Sequence, residues 1–348
     1  MKPHLTFAYP GNLELKTGGY GYDREVIKGL RNLGWNVDLL ALGEGFPSPS
    51  ALTLQEAERR LSTLEHNSLV MIDGLAFGVM DEWAKREAQR LSIIALVHHP
   101  LALETGLSEE QQAPLRQSEK TALAATRHVI VTSPMTAREL AENFAVRPEK
   151  ISVAVPGTAK PSATNRLPNK IPQILSVGSL TQRKGHDILI AALKKLTHLD
   201  WQATIIGSRN LDPTVAQALA DQIEKEQLSD RIILTGESDD VAAAYGHADI
   251  FALASRYEGY GMVFAEALSH GVPIVACAAG AVPDVVPEDA GFLVPVDDVD
   301  ATATALQALL TDPHERERRA QAAARAGTLL PSWADTSEII SNRLKALL

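Results

Sequence analysis

The chain of 348 residues is long for a single hydrophobic core and fits two domains of ordinary size. Its composition, 45% hydrophobic and 22% charged, is typical of a globular protein. The net charge of −10 argues against a nucleic-acid-binding protein, which would normally carry a basic surface. The single cysteine, Cys277, excludes an internal disulfide and any multi-cysteine metal site, and its apolar neighbours predict a buried thiol.

The sequence contains no apolar run long enough to cross a bilayer, and its start lacks the charged and then apolar pattern of a signal peptide. We therefore expect a cytoplasmic protein. The acidic excess lies mainly beyond residue 165, so the nearly neutral first half could approach an anionic surface more easily. Peripheral contact with the inner face of the membrane is therefore the alternative location.

Strand-like runs alternate with helical stretches in the first half, which is typical of parallel sheets covered by helices. The predicted strands are residues 5–9, 36–42, 68–72, 92–97, 128–132 and 151–155, and the predicted helices are 22–33 and 133–143. Residues 156–172 then become rich in glycine, proline, serine and threonine without apolar periodicity. This composition indicates a linker.

The alternation starts again after the linker. The predicted strands are residues 174–177, 203–206, 231–234, 249–253, 274–276 and 291–294, and the predicted helices are 187–196, 213–226 and 262–269. An alanine-rich helical stretch at 301–329 is followed by a break and a last helix at 335–348. The sequence therefore predicts two doubly wound α/β domains with a cleft between them.

Two glutamates, Glu258 and Glu266, are the first and last of nine residues that lead from a predicted strand into a predicted helix. Open α/β sheets bind ligands at this edge, and Gly259 and Gly261 would let the backbone approach a ligand closely. A carboxylate can accept two hydroxyl hydrogen bonds, so one glutamate suits a donor sugar and the other a ribose. The alternative is a pair of solvated acids that favour the helix dipole.

A second candidate site follows the strand at 174–177. A glycine turn leads into two adjacent cations, Arg183 and Lys184, and then into a helix. Cations beside a helix N-terminus form an anion site, and a departing diphosphate needs such stabilisation. An ordinary basic loop is the alternative.

Residues 255–261 (SRYEGYG) and 258–266 resemble the S-x-x-E-G-x-G and E-x7-E motifs of retaining glycosyltransferases of family 4. The resemblance implies the α/β GT-B fold, in which two Rossmann-like doubly wound parallel-sheet domains face an interdomain cleft. It assigns residues 1–162 with 333–348 to an acceptor-binding domain, 163–172 to a linker and 173–332 to a nucleotide-sugar-binding domain.

The resemblance also implies the site residues. The donor-binding set is Gly18, Gly19, Arg183, Lys184, Gly207, Glu237, Ser238, Glu258, Gly259, Tyr260, Gly261, Met262, Val263 and Glu266. Within the family's V-G-R-x-x-x-x-K-G element, Lys184 occupies the lysine position, whereas Ser179 replaces the usual arginine. Arg183 would supply the missing charge.

His98 and His99 follow a predicted strand of the first domain. Metal binding by the pair is disfavoured, because adjacent side chains of a strand point apart. Loop or core histidines are the ordinary interpretation, but the resemblance implies a histidine beside the reacting sugar. His99 matches best, with His98 as the alternative. The implied catalytic residues are His99, Arg183, Lys184 and Glu258, and the implied acceptor-side residues are Tyr20, Asp73 and His98.

The resemblance therefore implies a retaining, metal-independent hexosyltransferase without a cofactor. The expected donor is a nucleotide-diphosphate sugar, with uridine preferred to guanosine or adenosine. The expected acceptor is a lipid hydroxyl such as that of diacylglycerol, or a glycan. Two alternatives of the same architecture are a sugar-nucleotide 2-epimerase and a non-catalytic sugar-nucleotide-binding protein. The sequence leaves the oligomeric state open.

Overall fold

The structure is a computed structural model that describes residues 2–161, 169–238 and 240–348. The chain divides into two compact units, Met1–Gly157 with Pro331–Leu348, and Thr158–Leu330. In the described residues, each unit contains one six-stranded parallel sheet with helices around it. The predicted pair of doubly wound α/β domains is therefore confirmed. Most of the predicted linker at 163–172 lies outside the described residues.

The first unit is a parallel sheet whose two faces are both buried. Its strands are β1 (His4–Tyr9), β2 (Asn36–Ala41), β3 (Leu69–Asp73), β4 (Ser92–Val97), β5 (His128–Val131) and β6 (Ile151–Val153). Its helices are α1 (Gly18–Asn32), α2 (Ala51–Ser62), α3 (Gly74–Phe77), α4 (Asp81–Glu87), α5 (Glu109–Ala124), α6 (Pro134–Asn143) and the C-terminal helix Trp333–Lys345. The side chains of neighbouring strand residues pack into two different hydrophobic clusters, as those of Ile93 and Ile94 on β4 do.

The strand order of the first unit is β2-β1-β3-β4-β5-β6. The chain moves outward in one direction from β1 to β2 and in the other from β3 onward, so the order reverses between β1 and β3. In open α/β sheets, ligands bind outside the carboxyl ends of the strands at such a reversal. The loops after β1 and β3 therefore form the expected binding edge of this unit.

The C-terminal helix completes the first unit by packing on α1. The indole nitrogen of Trp35 donates a 2.9 Å hydrogen bond to Ser341, and Thr336 donates a 2.7 Å bond to the carbonyl of Val155. Gly29 of α1 lies at the closest approach, where a Cβ atom would come within 2.6 Å of the Ser337 Cβ. The close contact requires glycine at this position.

We expect Gly29→Ala to lower the free energy of unfolding by about 1–3 kcal/mol, because the added methyl group overpacks the contact with Ser337. This loss would override the gain of up to about 1 kcal/mol that alanine brings to a helix interior. Gly21→Ala on the same helix is the control, since its Cβ would meet only the tip of Arg24, at 3.9 Å. Urea unfolding measures both, and equal stability of the two variants would contradict the packing argument.

The second unit has the other six-stranded sheet. Its strands are β7 (Gln173–Val177), β8 (Gln202–Ile206), β9 (Ile232–Gly236), β10 (Ile250–Leu253), β11 (Ile274–Cys277) and β12 (Gly291–Val294). Its helices are α7 (His186–Lys195), α8 (Pro213–Lys225), α9 (Val241–His247), α10 (Met262–Ser269), α11 (Val282–Val285), α12 (Val299–Thr311) and α13 (Pro313–Leu329). The strand order is β12-β11-β10-β7-β8-β9, so the reversal lies between β7 and β10.

The structure corrects several predicted element boundaries. Helix α1 begins at Gly18 instead of Tyr22, because the side chain of Thr17 caps it. The helical stretch 301–329 is two helices, since Asp312 ends α12 and caps α13 while Pro313 opens the new helix. Helices α2, α3, α4, α5 and α11 were not predicted. Helix α9 begins at the side chain of Asp240, which accepts a 3.0 Å hydrogen bond from the amide of Ala243.

Two further expectations from the sequence concern the burial of Cys277 and membrane-spanning helices. Cys277 is fully buried, as expected, and burial raises the pKa of its thiol to about 11. None of the helices in the described part of the chain has the length and apolar character that a membrane span requires.

Candidate functional site

The candidate site of the second unit lies where β7 and β10 end, at the reversal of the strand order. Lys184 follows β7 and Glu258 follows β10, and the Lys184 Nζ atom lies 2.6 Å from the Glu258 Oε1 atom. Arg183 approaches the other carboxylate oxygen, with 3.5 Å between its Nη1 atom and Oε2. The structure therefore brings together three residues that the sequence assigned to one donor site.

The turn that carries the two cations is fixed by Gly185. Arg183 and Lys184 lie on a 3-10 turn, Gln182–Lys184, which ends at Gly185 with a φ of 63°. A Cβ atom at Gly185 would lie 1.9 Å from the carbonyl oxygen of Ala254, so the turn packs directly on the loop after β10. The backbone amide of Arg256 also donates a 2.8 Å bond to the carbonyl of Arg183. Glycine at 185 is therefore what allows the cations to reach Glu258.

Glu258 is a buried carboxylate with charged and polar partners. The Ser255 hydroxyl donates a 2.6 Å hydrogen bond to the same oxygen that Lys184 contacts. Burial alone would raise the pKa of Glu258, but the positive charges of Lys184 and Arg183 outweigh it and hold the pKa below its ordinary value. The group is therefore ionised near neutral pH. Because both oxygens already interact with cations, Glu258 is poorly suited to act as a nucleophile.

Ser179 stands at the position for which the resemblance implies an arginine, and Arg183 lies beside Glu258. Arg183 donates a 2.9 Å hydrogen bond from Nη1 to the carbonyl of Tyr257, which holds its side chain beside Glu258. Its side chain keeps 24% of its surface exposed and that of Lys184 keeps 12%. Both cations thus remain partly accessible at this edge of the sheet.

Glu266 lies in the second turn of α10, which starts at Gly261 without a side-chain cap. The helix start has the amide groups to bind an anion or a hydroxyl-rich group. Burial raises the pKa of Glu266 to about 7, and the hydroxyl of Tyr245 opposes that rise. The remaining members of this loop, Gly259, Tyr260, Met262 and Val263, lie between the two glutamates, and Tyr260 is largely buried.

The residues after β8 and β9 extend the same edge. Gly207 packs so tightly on the glycine turn after β7 that a Cβ atom would lie 1.8 Å from the carbonyl oxygen of Gly178. Its amide also donates a 2.9 Å bond to the carbonyl of Gly236, the last residue of β9. Glu237 and Ser238 follow directly and are exposed and partly buried, respectively. All predicted donor residues of this unit therefore follow neighbouring strands of one sheet.

Sequence reasoning missed His186, which supports this turn. The histidine is buried at the start of α7, and its Nε2 atom donates a 3.2 Å hydrogen bond to the carbonyl of Gly178. Its Nδ1 atom lies 3.4 Å from the Ser176 hydroxyl. Burial lowers the pKa of His186 to about 4, so it stays neutral. Its position two residues after Lys184 was the sequence signal that could have identified it.

In the first unit, the predicted acceptor-side residues meet at the reversal between β1 and β3. The His98 Nε2 atom lies 3.1 Å from Asp23 Oδ1 and 3.7 Å from Asp73 Oδ2. A Cβ atom at Gly19 would lie 3.5 Å from the His98 ring, so the start of α1 covers it. Tyr20 lies beside the group and donates a 2.9 Å bond to the carbonyl of Pro10. Gly18 lies at the same helix start instead of in the predicted loop.

The ionisation of the first-unit cluster follows from its burial. Burial, followed by the charge of Asp23, raises the pKa of Asp73 to about 8. Burial would lower the pKa of His98, but the charge and hydrogen bond of Asp23 together with Asp73 raise it. Within the described residues, Asp23, Asp73 and His98 are also the group whose ligand atoms all lie within 4.8 Å of one another, which is the spacing a cation would need.

His99 lies apart from this cluster. Its Nε2 atom is 3.1 Å from the carboxylate of Glu104, which is 42% exposed. The structure thus brings His98, the alternative of the sequence analysis, into the carboxylate cluster and pairs His99 with a loop residue. The reason is the alternation of side chains after β4, which directs neighbouring residues to different surroundings.

Asp23 is the member of the cluster that the sequence analysis missed. It is fully buried and lies on the same face of α1 as the buried residues Tyr22, Val26, Ile27 and Leu30. A charged residue on the apolar face of a predicted helix is rarely buried without a partner. That position on the apolar face was the signal that could have identified it.

Comparison with known proteins bears on the fold and on the class of protein. Residues 159–326 match the model of the family described as glycosyl transferases group 1. The structure of sucrose-phosphate synthase from Thermosynechococcus elongatus has the same fold, with a TM-score of 0.83, 21% identity and 98% coverage of each chain. The fold is therefore GT-B, as predicted. The match to glycosyl transferases group 1 lies within the second unit and covers just under half of the chain.

Two curated relatives are similar over part of the chain. The D-inositol 3-phosphate glycosyltransferase of Xylanimonas cellulosilytica is 31% identical over 62% of this chain and 56% of its own length. A GDP-mannose-dependent monoacylated alpha-(1-6)-phosphatidylinositol monomannoside mannosyltransferase of Corynebacterium glutamicum is 32% identical over 51% of this chain and 47% of its own length. The chain spans about half the length of these relatives.

Proposed function

We propose that the protein is a retaining glycosyltransferase that moves a hexosyl group from a nucleotide-diphosphate sugar to an acceptor hydroxyl. The observation that carries this proposal is the contact of Lys184 and Arg183 with Glu258 at the strand-order reversal of the family-matched domain. Two cations beside the start of a helix suit a diphosphate, and a buried carboxylate beside them suits a sugar hydroxyl.

The chemistry we propose does not use a carboxylate nucleophile. Glu258 is held by two cations and a serine, so it would bind the sugar while the departing diphosphate accepts the acceptor's proton on the same face. Diphosphate oxygens would compete with Glu258 for Lys184 and stabilise the charge that develops on the leaving group. The two cations would perform the role that a metal ion has in other transferases, so we propose metal-independent transfer without a cofactor.

We assign the histidine role of the first unit to His98 in place of His99. His98 is held by Asp23, whereas His99 pairs with the partly exposed Glu104. A group that contacts a reacting sugar must be held in one orientation, and buried partners provide that restraint. Tyr20 borders the same cluster and is proposed for the acceptor side, where the buried Asp73 of the cluster would act through His98.

The nucleotide and acceptor are proposed by class. A UDP-sugar remains our first candidate, with GDP-mannose as the main competitor because one relative is named for it. The same relative is named for a lipid acceptor, which supports a membrane lipid such as diacylglycerol beside a glycan as the acceptor. The cytoplasm, or the inner face of the membrane, stays the predicted location.

A thermal-shift screen with UDP-, GDP- and ADP-sugars tests the donor site. We expect at least one donor to raise the unfolding midpoint, because a ligand that binds only the folded state stabilises it. Glu266→Gln should reduce that shift, since an amide offers one acceptor oxygen in place of two. Glu224→Gln on the exposed surface of α8 is the matched control. A screen in which no nucleotide sugar moves the midpoint would refute the proposed function.

A further inference from the structure

The carboxylate cluster of the first unit contains an unsatisfied buried atom. Asp23 is fully buried, and its Oδ1 atom lies 3.1 Å from His98 Nε2. Its other oxygen, Oδ2, has no hydrogen-bond partner among the described residues when all carboxylates are taken as ionised. A buried acceptor without a donor costs about 1–3 kcal/mol or more. The cluster therefore needs one more donor than its ionised groups supply.

Asp73 is the group that can supply this donor. It lies 3.7 Å from the same His98 nitrogen through Oδ2, while its Oδ1 atom accepts a 2.7 Å hydrogen bond from the amide of Leu75. The ligand oxygens of Asp23 and Asp73 lie within 4.8 Å of each other, and two buried carboxylates at this distance do not both ionise. With a proton, Asp73 would donate a hydrogen bond to the Oδ2 atom of Asp23. The Oδ1 atom of Asp23 would then remain to accept from His98.

His98 is held at its backbone as well as at its ring. The Thr132 hydroxyl donates a 3.1 Å bond to the His98 carbonyl, and Tyr22 packs edge-on to the ring at 5.4 Å between centroids. Asp23 can only accept from Nε2, so the ring proton at this nitrogen is fixed. Nδ1 is then the nitrogen left for a ligand, and the side chain keeps 20% of its surface exposed.

We propose that Asp23, supported by a proton on Asp73, is a positioning residue that fixes the His98 ring with Nε2–H toward Asp23 and Nδ1 toward substrate. The inference rests on the proposed function for its substrate, but the ring geometry exists without one. Neither carboxylate touches substrate, since Asp23 is 0% and Asp73 is 3% exposed. Both act through His98.

Asp23→Ala removes the restraint, and Asp23→Asn preserves it. In the asparagine variant the amide oxygen can still accept from Nε2–H, while the amide nitrogen donates to Asp73. We expect kcat to fall about 100-fold in Asp23→Ala, with the KM for donor within about threefold of wild type. Asp23→Asn should retain kcat within about tenfold of wild type. A purely structural role would not produce this split between kcat and KM or its rescue.

The ¹⁵N NMR signals of the His98 ring, assigned by comparison with His98→Gln, test the same claim without substrate. We expect the proton on Nε2 in wild type and in Asp23→Asn, and a tautomer mixture in Asp23→Ala. If wild type transfers no sugar, the proposed function fails while the NMR experiment still decides the ring geometry.

Three results would overturn the inference. The first is a wild-type ring protonated on Nδ1 alone, which decides the matter even if Asp23→Ala does not fold. The second is a folded Asp23→Ala with wild-type kcat. The third is activity that is lost on chelation and restored by Zn²⁺ or Mn²⁺ in wild type only, because the three residues would then hold a cation.

Discussion

Replacing Lys184 with alanine should lower turnover by about 100- to 1000-fold, the loss typical of removing one group that stabilises developing charge. The Lys184 Nζ atom lies 2.6 Å from Glu258 Oε1. When the donor binds, Lys184 would contact the diphosphate in place of Glu258. Release of nucleoside diphosphate from the donor measures the effect. The folded state should persist, since Arg183 and Ser255 still contact Glu258.

The matched control for Lys184→Ala is Lys195→Ala. Lys195 ends helix α7 of the same unit, is half exposed and pairs with Asp300 at the surface. A surface ion pair contributes little, so turnover should stay at the wild-type level. Near-normal turnover in Lys184→Ala, with circular dichroism showing an intact fold, would remove Lys184 from the proposed mechanism.

Replacing His98 with alanine should lower turnover by about 100-fold or more, whereas His99→Ala should change it less than about threefold. His98 is held by Asp23 among buried groups, whereas the His99 ring contacts the partly exposed Glu104. Initial rates of both variants at saturating donor provide the comparison.

Donor binding separates a catalytic effect of His98 from a loss of folding. His98→Ala should retain the thermal shift caused by the donor nucleotide, because the predicted nucleotide-binding residues of the second unit are unchanged. His98→Gln, which keeps a polar side chain, guards against destabilisation by the unpaired Asp23. A large loss in His99→Ala with normal turnover in His98→Ala would restore the original preference for His99.

The fold was predictable because an apolar run in the sequence indicates where a buried strand lies. Residues 92–97 are buried on both faces of the sheet, so β4 appears as a continuous apolar segment with the observed bounds. Helix α5 was not predictable in this way, because its surface is mostly polar and its start is defined by the capping box of Ser108 and Gln111. The start of α1 was missed because glycines at 18, 19 and 21 are poor helix formers, and Thr17 compensates through its cap.

The donor edge was predictable from local motifs, since Lys184 and Glu258 each follow a strand of the same sheet. The first-unit cluster was not, because it joins α1, β3 and β4 through contacts 50 and 75 residues apart in sequence, as Asp23 with Asp73 and Asp23 with His98 show. Local patterns contain no information on which of two adjacent histidines faces such a cluster. Only the tertiary structure distinguishes His98 from His99.

The most direct test of the central claim is the configuration of the sugar that the wild-type protein releases from an α-linked nucleotide sugar. Proton NMR at early times, before mutarotation, distinguishes the two anomers. Retaining transfer predicts that the α-anomer, or an α-linked product when an acceptor is present, appears first together with nucleoside diphosphate. First appearance of the β-anomer, or no release of nucleoside diphosphate from any UDP-, GDP- or ADP-sugar, would contradict it.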